Sequence, residues 1–240
     1  MKTVLITGAN KGIGLETAKQ LAQLGYFVFL GCRDIKKGID ALNKLKEFGL
    51  TNVDVLVIDI ADINSIKKAK SELEVKIDAL DVLINNAGIT GEQPQNISTC
   101  NIEQLRNIFD TNYFGTIQTT QQFLDLIKKS EEPTIINVTS EVGSLTMHTS
   151  PERNPNWDFY NVYGSSKTAV NSFTVMLANE FRNTSFRINS VTPGYTATEL
   201  NDFQGIKTVE EGAIPIVRLV TSNNEAVTGK FFRAEGEVPW

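Results

Sequence analysis

Short apolar runs alternate along the chain with longer segments in which apolar residues return every three or four positions. The short runs are nearly continuous in apolar residues, which is typical of parallel strands buried on both faces. They predict strands at residues 3–7, 27–30, 53–58, 82–84, 135–138 and 188–191. The periodic segments predict helices at residues 12–24, 36–48, 64–76, 102–129, 161–182 and 209–220.

The alternation of strand and helix indicates right-handed βαβ units and therefore a parallel sheet covered by helices on both faces. No internal repeat, low-complexity segment or linker interrupts it, and 240 residues are enough to bury a full core. We therefore expect an α/β fold in which residues 1–240 form a single domain.

Single residues indicate where helices begin and end. Gly25 and Gly49 stand where helix C-caps are expected. Asn101 with Gln104 predicts a helix start of the capping-box type. Pro215 lies inside the last predicted helix and should kink or shorten it.

Two irregular segments, residues 144–160 and 195–207, depart from the alternation. Each follows the end of a predicted strand. In doubly wound sheets, ligands bind beyond the carboxyl ends of the strands, and long loops in compact domains are often functional. Both segments should therefore border the functional site.

Charge and hydropathy narrow the class of protein. A net charge of −5 without a basic patch argues against nucleic acid as the main partner. No apolar run approaches membrane-spanning length, and the first residues lack the apolar region and cleavage site of a signal peptide. We therefore expect a cytoplasmic protein without a membrane partner.

Cysteine and histidine usage limits the metal and hydrolase chemistry. Cys32 and Cys100 are far apart and outside any C-x-x-C pattern, which favours reduced thiols. His148 is the only histidine, so a structural zinc site of the usual Cys/His kind cannot be assembled. No G-x-S-x-G elbow supports a serine hydrolase. We expect no metal site.

A glycine-rich turn, residues 7–14, joins the first strand to the first helix. Its glycines permit a tight turn and let the backbone approach a pyrophosphate at the positive end of the helix. The G-x-x-x-G-x-G spacing differs from the G-x-G-x-x-G fingerprint, and a plain strand-to-helix turn is the alternative. A P-loop is excluded because no G-K-[ST] follows. The predicted dinucleotide contacts are Gly8, Asn10, Lys11, Gly12, Ile13 and Gly14.

The end of the second strand bears on the choice of nucleotide. Arg33 can pair with a ribose 2′-phosphate, and Lys11 adds a second positive charge. Asp34 is the rival, because an acid at this place accepts the 2′-hydroxyl of NAD. We interpret Asp34 as the N-cap of the next helix and favour NADPH over NADH.

Tyr163 and Lys167 stand four positions apart at the start of a predicted helix, so both lie on one face. A fixed ammonium beside a phenol favours the phenolate and lowers a phenol pKa that is ordinarily about 10. The pair therefore predicts a general acid usable near neutral pH. The alternative is an ordinary pair of surface or half-buried helix residues.

Four motifs follow one another along nearly the whole chain. They are Thr7–Gly14, Asn85-Asn86-Ala87-Gly88, Tyr163 with Lys167, and Pro193-Gly194. Together they resemble the classical short-chain dehydrogenase/reductase family, and the chain's tail with Asn10-Lys11 is similar to its carbonyl-reductase-like branch. The resemblance implies a Rossmann-like doubly wound sandwich with a mostly parallel seven-stranded sheet.

The resemblance also implies roles for single residues. The implied catalytic residues are Asn112, Ser140, Tyr163 and Lys167, of which Tyr163 and Lys167 also contact the cofactor. The implied cofactor contacts are Asp59 and Ile60 at adenine, Asn86 at the ribose, and Pro193, Thr196 and Thr198 at the nicotinamide amide, with Lys11 and Arg33 as the basic pair of NADP-preferring members. Structural alternatives remain: Asn112 could bond a neighbouring backbone group, Ser140 could be a turn residue, and Asp59 could cap a helix.

Two features depart from the family's pattern. Ser140 and Tyr163 are 23 positions apart, which is more than is typical, and this leaves the oligomeric state open between a monomer and a small homo-oligomer. Glu141 directly follows the implied catalytic serine, and we expect it to face away because neighbours alternate on an extended segment.

The expected reaction is reversible hydride transfer from NADPH to the carbonyl of an aldehyde or ketone. The alternatives are an NAD-dependent alcohol, polyol or sugar dehydrogenase, and a dinucleotide-binding protein without catalysis. An apolar or aromatic small-molecule substrate is expected from apolar residues in the irregular segments, which could equally pack those segments onto the body. These residues are Val142, Met147, Trp157, Phe159, Tyr195, Leu200 and Phe203.

Overall fold

A computed structural model of the chain describes residues 1–222 and 227–240. Its strands are β1 (Thr3–Thr7), β2 (Phe27–Cys32), β3 (Val53–Val57), β4 (Val82–Asn85), β5 (Thr134–Val138), β6 (Arg187–Val191), β7 (Phe231–Arg233) and β8 (Gly236–Glu237). Within these residues the strands form one sheet in the order β3-β2-β1-β4-β5-β6-β7-β8. Neighbouring strands are parallel except β7 and β8.

Helices connect the strands. They are α1 (Gly12–Gln23), α2 (Ile35–Glu47), α3 (Ile63–Glu74), α4 (Ile102–Phe109), α5 (Gly115–Ile127), α6 (Leu145–His148), α7 (Asn161–Glu180) and α8 (Val209–Thr221). Shorter 3₁₀ turns occur at Glu141–Gly143, Pro155–Tyr160 and Glu199–Asn201. The expected α/β fold with a Rossmann-like, mostly parallel sheet is confirmed, and β8 adds a short antiparallel strand to the seven expected.

Successive residues of each strand point to opposite faces of the sheet, and this builds two cores. Val4 and Ile6 of β1 join a cluster with side chains of α1, α2 and α8. Leu5, between them, joins a second cluster with side chains of α3, α5 and α7. The near-continuous apolar strands are therefore explained by helices on both faces.

The predicted helix at residues 102–129 is wrong as one regular helix. A π-helical segment, Asp110–Phe114, separates α4 from α5. Apolar periodicity does not reveal such a segment, because a single wider turn shifts the register without ending the helix. Segments of this kind are frequent at functional sites.

Two further expectations about helices are corrected. Asn101 caps α4 by accepting from the backbone N–H of Glu103, but Gln104 donates to the carbonyl of Glu92 at 2.7 Å instead of closing a capping box. Pro215 lies inside α8, and the helix continues to Thr221, so of the two expected effects the shortening does not occur.

Within the described ranges, no helix is long and apolar enough to cross a membrane. In the same part of the chain, no three metal-binding side chains gather into a cluster.

Candidate active site

The glycine-rich turn after β1 is held against the end of β4. Gly8 and Gly12 have φ angles of +67° and +56°, which favour glycine. A Cβ at Gly14 would lie 2.6 Å from both the Asn86 amide nitrogen and the Gly8 carbonyl. The Asn86 side chain donates to the carbonyl of Thr7 at 2.8 Å, so the two loops form one rigid wall.

The first turn of α1 lacks the side-chain cap that α2 and α3 have. Asp34 caps α2 and Asp62 caps α3 through their carboxylates. At α1 the N-cap residue Lys11 makes no side-chain capping bond, and the first turn carries no acidic residue. Its N–H groups and positive dipole are thus available to an anion, and a dinucleotide's pyrophosphate suits this place.

A cleft of about 660 Å³ opens in front of this turn. Its lining includes eleven of the predicted cofactor contacts: Gly8, Asn10, Lys11, Gly12, Ile13, Gly14, Arg33, Asp59, Ile60, Asn86 and Thr198. Four predicted contacts lie outside that lining: Tyr163, Lys167, Pro193 and Thr196. The structure thus brings the phosphate loop and the ends of β2, β3 and β4 to one cleft.

Arg33 lines the cleft, whereas Asp34 does not. The Asp34 carboxylate accepts from the backbone N–H groups of Lys36 and Lys37 at 2.9 and 3.2 Å. The interpretation of Asp34 as a helix cap is therefore confirmed, and this side chain is already engaged. Lys11 pairs with Glu199, and the ammonium holds the pKa of the Glu199 carboxyl below its usual range.

Tyr163 and Lys167 lie in the first two turns of α7, and their side chains come together as predicted. The Lys167 ammonium lies 5.6 Å from the centre of the Tyr163 ring and donates to the carbonyl of Val138, at the end of β5, at 2.9 Å. Lys167 is almost fully buried. Because Lys167 is buried and bonded to a backbone carbonyl, its ammonium has a defined position beside the Tyr163 ring.

The pKa of the Tyr163 phenol moves opposite to the expectation. Burial raises the pKa of the Tyr163 phenol well above its usual range, Tyr160 raises it further, and a hydrogen bond with Ser140 opposes the rise. Burial lowers the pKa of Lys167 to about 8. The predicted lowering of the phenol pKa by Lys167 is wrong for this structure, because burial is the largest cause of the shift and Lys167 is not among its causes. A protonated phenol is nevertheless the state that a proton donor requires.

Ser140 reaches Tyr163 because two chain segments approach unusually closely. Ser140 follows β5 and caps the turn Glu141–Gly143. A Cβ at Gly143 would lie 2.9 Å from the Lys167 backbone, and one at Gly164 would lie 2.7 Å from the Val142 carbonyl. The glycines thus let the Ser140 turn press against α7. Its hydroxyl accepts from the Val142 N–H at 3.4 Å, as the structural alternative required, and the same side chain opposes the rise in the pKa of the Tyr163 phenol.

Glu141 forms an ion pair away from Tyr163. Its carboxylate pairs with Arg233 of β7 at 3.2 Å. The side chain is not among the causes that shift the Tyr163 pKa. Glu141 thus faces away from the phenol as expected, but it does so from a 3₁₀ turn and not from an extended segment.

Asn112 lies in the π-helical segment and connects two parts of the site. Its amide exchanges two hydrogen bonds with the backbone of Ile89, at 2.8 and 2.9 Å, and donates to the Ser166 hydroxyl at 3.0 Å. A Cβ at Gly88 would lie 3.1 Å from the Asn112 oxygen and 3.4 Å from the Lys167 nitrogen. The absence of a side chain at Gly88 therefore lets Asn112 and Lys167 approach each other.

The loop after β6 covers one side of the cleft. Thr196 is buried and donates to the carbonyl of Pro193 at 3.2 Å. Thr198 and Asn201 form a capping box at the turn Glu199–Asn201. Thr198 lines the cleft, and so do Leu200 and Phe203.

Comparison with known proteins decides the family. The model of the short chain dehydrogenase family matches residues 2–207. The chain belongs to the short-chain dehydrogenase family. It is 31% identical to a (+)-neomenthol dehydrogenase of Capsicum annuum, with 95% of this chain and 94% of that protein aligned.

Solved structures of this family agree with the fold. Salutaridine reductase from Papaver somniferum superposes with a TM-score of 0.85 at 27% identity, covering 97% of this chain and 99% of that one. An NADPH-bound carbonyl reductase from chicken fatty liver gives 0.86 at 27% identity, covering 100% and 99%. This short-chain dehydrogenase is an oxidoreductase of the carbonyl-reductase type.

Apolar residues of the two irregular segments lie in different surroundings in this short-chain dehydrogenase. Trp157 packs against the ring of His148 at 5.2 Å, and His148 bonds the Val142 carbonyl, so these residues hold the loop onto the body. Leu200 and Phe203 are exposed at the cleft. Residues of the segment 195–207 therefore contribute to the lining of the cleft, and residues of the segment 144–160 do not.

Three residues with a place in this site were missed from the sequence. Glu199 pairs with Lys11, Thr90 lines the cleft, and Gln95 contacts the backbone of Tyr163. None belongs to a glycine motif or a periodic position. Only the proximity of distant segments reveals them.

Proposed function

We propose that this chain reversibly transfers a hydride between NADPH and the carbonyl of an aldehyde or ketone. The observation that carries the proposal is the geometry at Tyr163: the Ser140 side chain lies beside its phenol, and the Lys167 ammonium lies 5.6 Å from the centre of its ring. When a hydride adds to a carbonyl carbon, negative charge develops on the oxygen. That oxygen needs hydrogen-bond donors and then a proton.

The cleft suits NADPH. The uncapped turn of α1 and the glycines of its loop accept the pyrophosphate, while Lys11 and Arg33 supply positive charge for a 2′-phosphate. The other proposed contacts are Asp59 and Ile60 at adenine, Asn86 at the ribose, and Pro193, Thr196 and Thr198 at the nicotinamide. Likeness to the NADPH-bound chicken carbonyl reductase supports this choice.

When bound, NADPH supplies the hydride. The hydroxyls of Ser140 and Tyr163 donate to the substrate's carbonyl oxygen, where negative charge grows in the transition state. Tyr163 then gives its proton to that oxygen. The Lys167 ammonium stabilises the remaining phenolate, and Asn112 holds a water that returns a proton to the pair.

The proposed substrate is a small apolar or aromatic carbonyl compound. Leu200 and Phe203 present exposed apolar side chains to the cleft. Likeness to enzymes named for neomenthol and salutaridine supports an organic ring compound as the substrate. A cytoplasmic location, a single domain over residues 1–240 and a monomer or small homo-oligomer belong to the same proposal.

The decisive experiment is Tyr163→Phe, assayed with NADPH and a panel of aldehydes and ketones. Removing the phenolic hydroxyl should lower kcat by about 10²–10⁴, since a positioned general acid contributes that much. Tyr26→Phe, at the opposite end of the sheet, is the control and should retain wild-type kcat. Turnover by Tyr163→Phe at the wild-type rate would contradict the proposal.

The alternatives are separated by binding and turnover. Preference for NADH over NADPH in equilibrium titration would favour the NAD-dependent dehydrogenase. Cofactor binding without turnover across the carbonyl and alcohol panels would favour a non-catalytic binding protein.

A further inference from the structure

Gln95 is a fully buried polar side chain in the loop between β4 and α4. Its amide oxygen accepts from the backbone N–H of Tyr163 at 2.8 Å. Its amide nitrogen donates to the carbonyls of Thr90 and Glu92 at 2.5 and 3.2 Å. Both ends of this amide are therefore engaged, each with a different part of the chain.

The contact with Tyr163 completes the start of α7. The first N–H groups of a helix have no partner within the helix and are usually satisfied by a capping side chain. Tyr160, at the N-cap of α7, makes no such bond. Gln95 satisfies the Tyr163 N–H from a segment 68 positions away. The position of the Tyr163 backbone at the start of α7 thus depends on this loop.

The other end of Gln95 reaches the wall of the cofactor cleft, because Thr90 lines that cleft. The same loop is tied to Tyr163 by a second route. Asn112 bonds the backbone of Ile89 and the hydroxyl of Ser166, and Ser166 donates to the Tyr163 carbonyl at 2.7 Å. Both backbone polar groups of Tyr163 are therefore held by side chains that are fixed to the cleft wall.

We propose that Gln95 is a positioning residue that sets the place of the Tyr163 phenol relative to the cleft wall at Thr90. The inference rests on the proposed function of Tyr163 as proton donor. Positional errors of about 1 Å at a reacting group lower rates by about 10²-fold. Loosening the Tyr163 backbone therefore lowers kcat, while the other groups that bind cofactor and substrate stay in place.

A glutamine is the side chain that this place requires. It offers one acceptor to an N–H group and two donors to carbonyls. Methionine has a similar length but neither function. An ionised glutamate would place a negative oxygen against the carbonyls of Thr90 and Glu92, whereas a protonated one could accept from Tyr163 and donate to Thr90.

The test is Gln95→Met with Gln104→Met as the matched control. Gln104 also donates to the carbonyl of Glu92, at 2.7 Å, but it does not contact Tyr163. Gln95→Met should lower kcat by about 10- to 100-fold and leave KM for NADPH and substrate within about threefold. Gln104→Met should keep wild-type values. A folded Gln95→Met with the kcat of Gln104→Met would overturn the inference.

Gln95→Glu supplies a second arm, which also serves where Gln95→Met does not fold. Its kcat should approach the wild-type value at low pH, where the introduced carboxyl is protonated and can donate to Thr90. The kcat should fall as that carboxyl ionises. A kcat ratio to wild type that stays constant over the whole pH range would count against the positioning role.

Hydrogen exchange separates this inference from the proposed function. The backbone N–H of Tyr163 should exchange faster in Gln95→Met than in wild type. Its exchange rate in Gln104→Met should equal that of wild type. If wild-type protein turned over no carbonyl compound but the exchange difference between Gln95→Met and wild type were seen, the proposed function would fail and the contact would stand. Normal turnover with unchanged exchange would defeat the contact.

Discussion

Individual side chains in this protein owe their chemistry to burial as much as to their neighbours. Tyr163 and Lys167 are the clearest case: protein surroundings raise the phenol pKa and lower that of the ammonium. Burial disfavours the charged form of each group, so it stabilises the neutral phenol and destabilises the ammonium. The site therefore holds a proton on Tyr163 at neutral pH.

The lowered pKa of Lys167 predicts a pH-dependent stability. Its pKa falls from 10.5 to about 8 on folding, so the unfolded chain binds more protons between these values and the free energy of unfolding rises with pH there. Lys167→Met should therefore raise the free energy of unfolding at pH 7 by about 1–2 kcal/mol. The gain should shrink towards pH 10. Urea unfolding at both pH values measures it, with Lys230→Met as the control, because the Lys230 side chain is 45% exposed.

Arg33 carries the prediction on cofactor preference. It lines the cleft, while Asp34 is engaged at the start of α2. Arg33→Ala should raise the Kd for NADPH by about 10- to 100-fold, since a hydrogen bond to a charged group is worth about 1.5–3 kcal/mol. The Kd for NADH, which lacks the 2′-phosphate, is the internal control and should change less than about threefold. Equal losses for both nucleotides would contradict the role of Arg33.

At the scale of elements, the active site depends on how closely the Ser140 turn approaches α7. Gly143 and Gly164 remove the side chains that would separate them. The Asn112 side chain, from a π-helical segment, and Gln95, from a loop, attach α7 to the wall of the cleft. The positions of the proposed catalytic groups are thus set by contacts between elements and not within one.

Gly143→Ala tests this approach. Its Cβ would meet the Lys167 backbone at 2.9 Å, and backbone atoms cannot move aside cheaply. We expect a loss of about 1–3 kcal/mol in the free energy of unfolding, with a lower kcat because Ser140 and Tyr163 separate. Ser165→Ala on the exposed side of α7 is the control. Wild-type stability and kcat in Gly143→Ala would show that the turn relaxes freely.

Across the whole molecule, the final residues reach back to the site. The Trp240 ring stacks on Phe231 of β7 at 5.6 Å, and its carbonyl accepts from the N–H of Thr146 at 2.9 Å. The Pro239 carbonyl accepts from Ser144 at 2.6 Å. These contacts attach the loop between Ser140 and Tyr163 to the edge of the sheet.

Trp240→Ala should therefore destabilise the fold, although it lies far along the chain from the site. Losing the stacked ring should reduce the free energy of unfolding by about 1–3 kcal/mol. Ile206→Ala, whose side chain is 86% exposed, is the control and should change it little. Chemical denaturation compares the three proteins. Equal stability of Trp240→Ala and wild type would mean that the ring contributes nothing.

The amino-acid sequence by itself determined the local features of this protein. Apolar periodicity predicted the strands and most helices, because each face of an element must be buried or exposed at a fixed period. The glycine-rich turn, the Tyr163 and Lys167 spacing and the Asp34 cap were also visible, since each depends on a few adjacent residues.

Only the tertiary structure decided the contacts between distant segments. Lys11 meets Glu199 across 188 positions, and Tyr163 meets Gln95 across 68. The direction of the Tyr163 pKa shift likewise depends on how many elements surround it. Burial and long-range hydrogen bonds arise when elements pack, and no local pattern in the sequence encodes them.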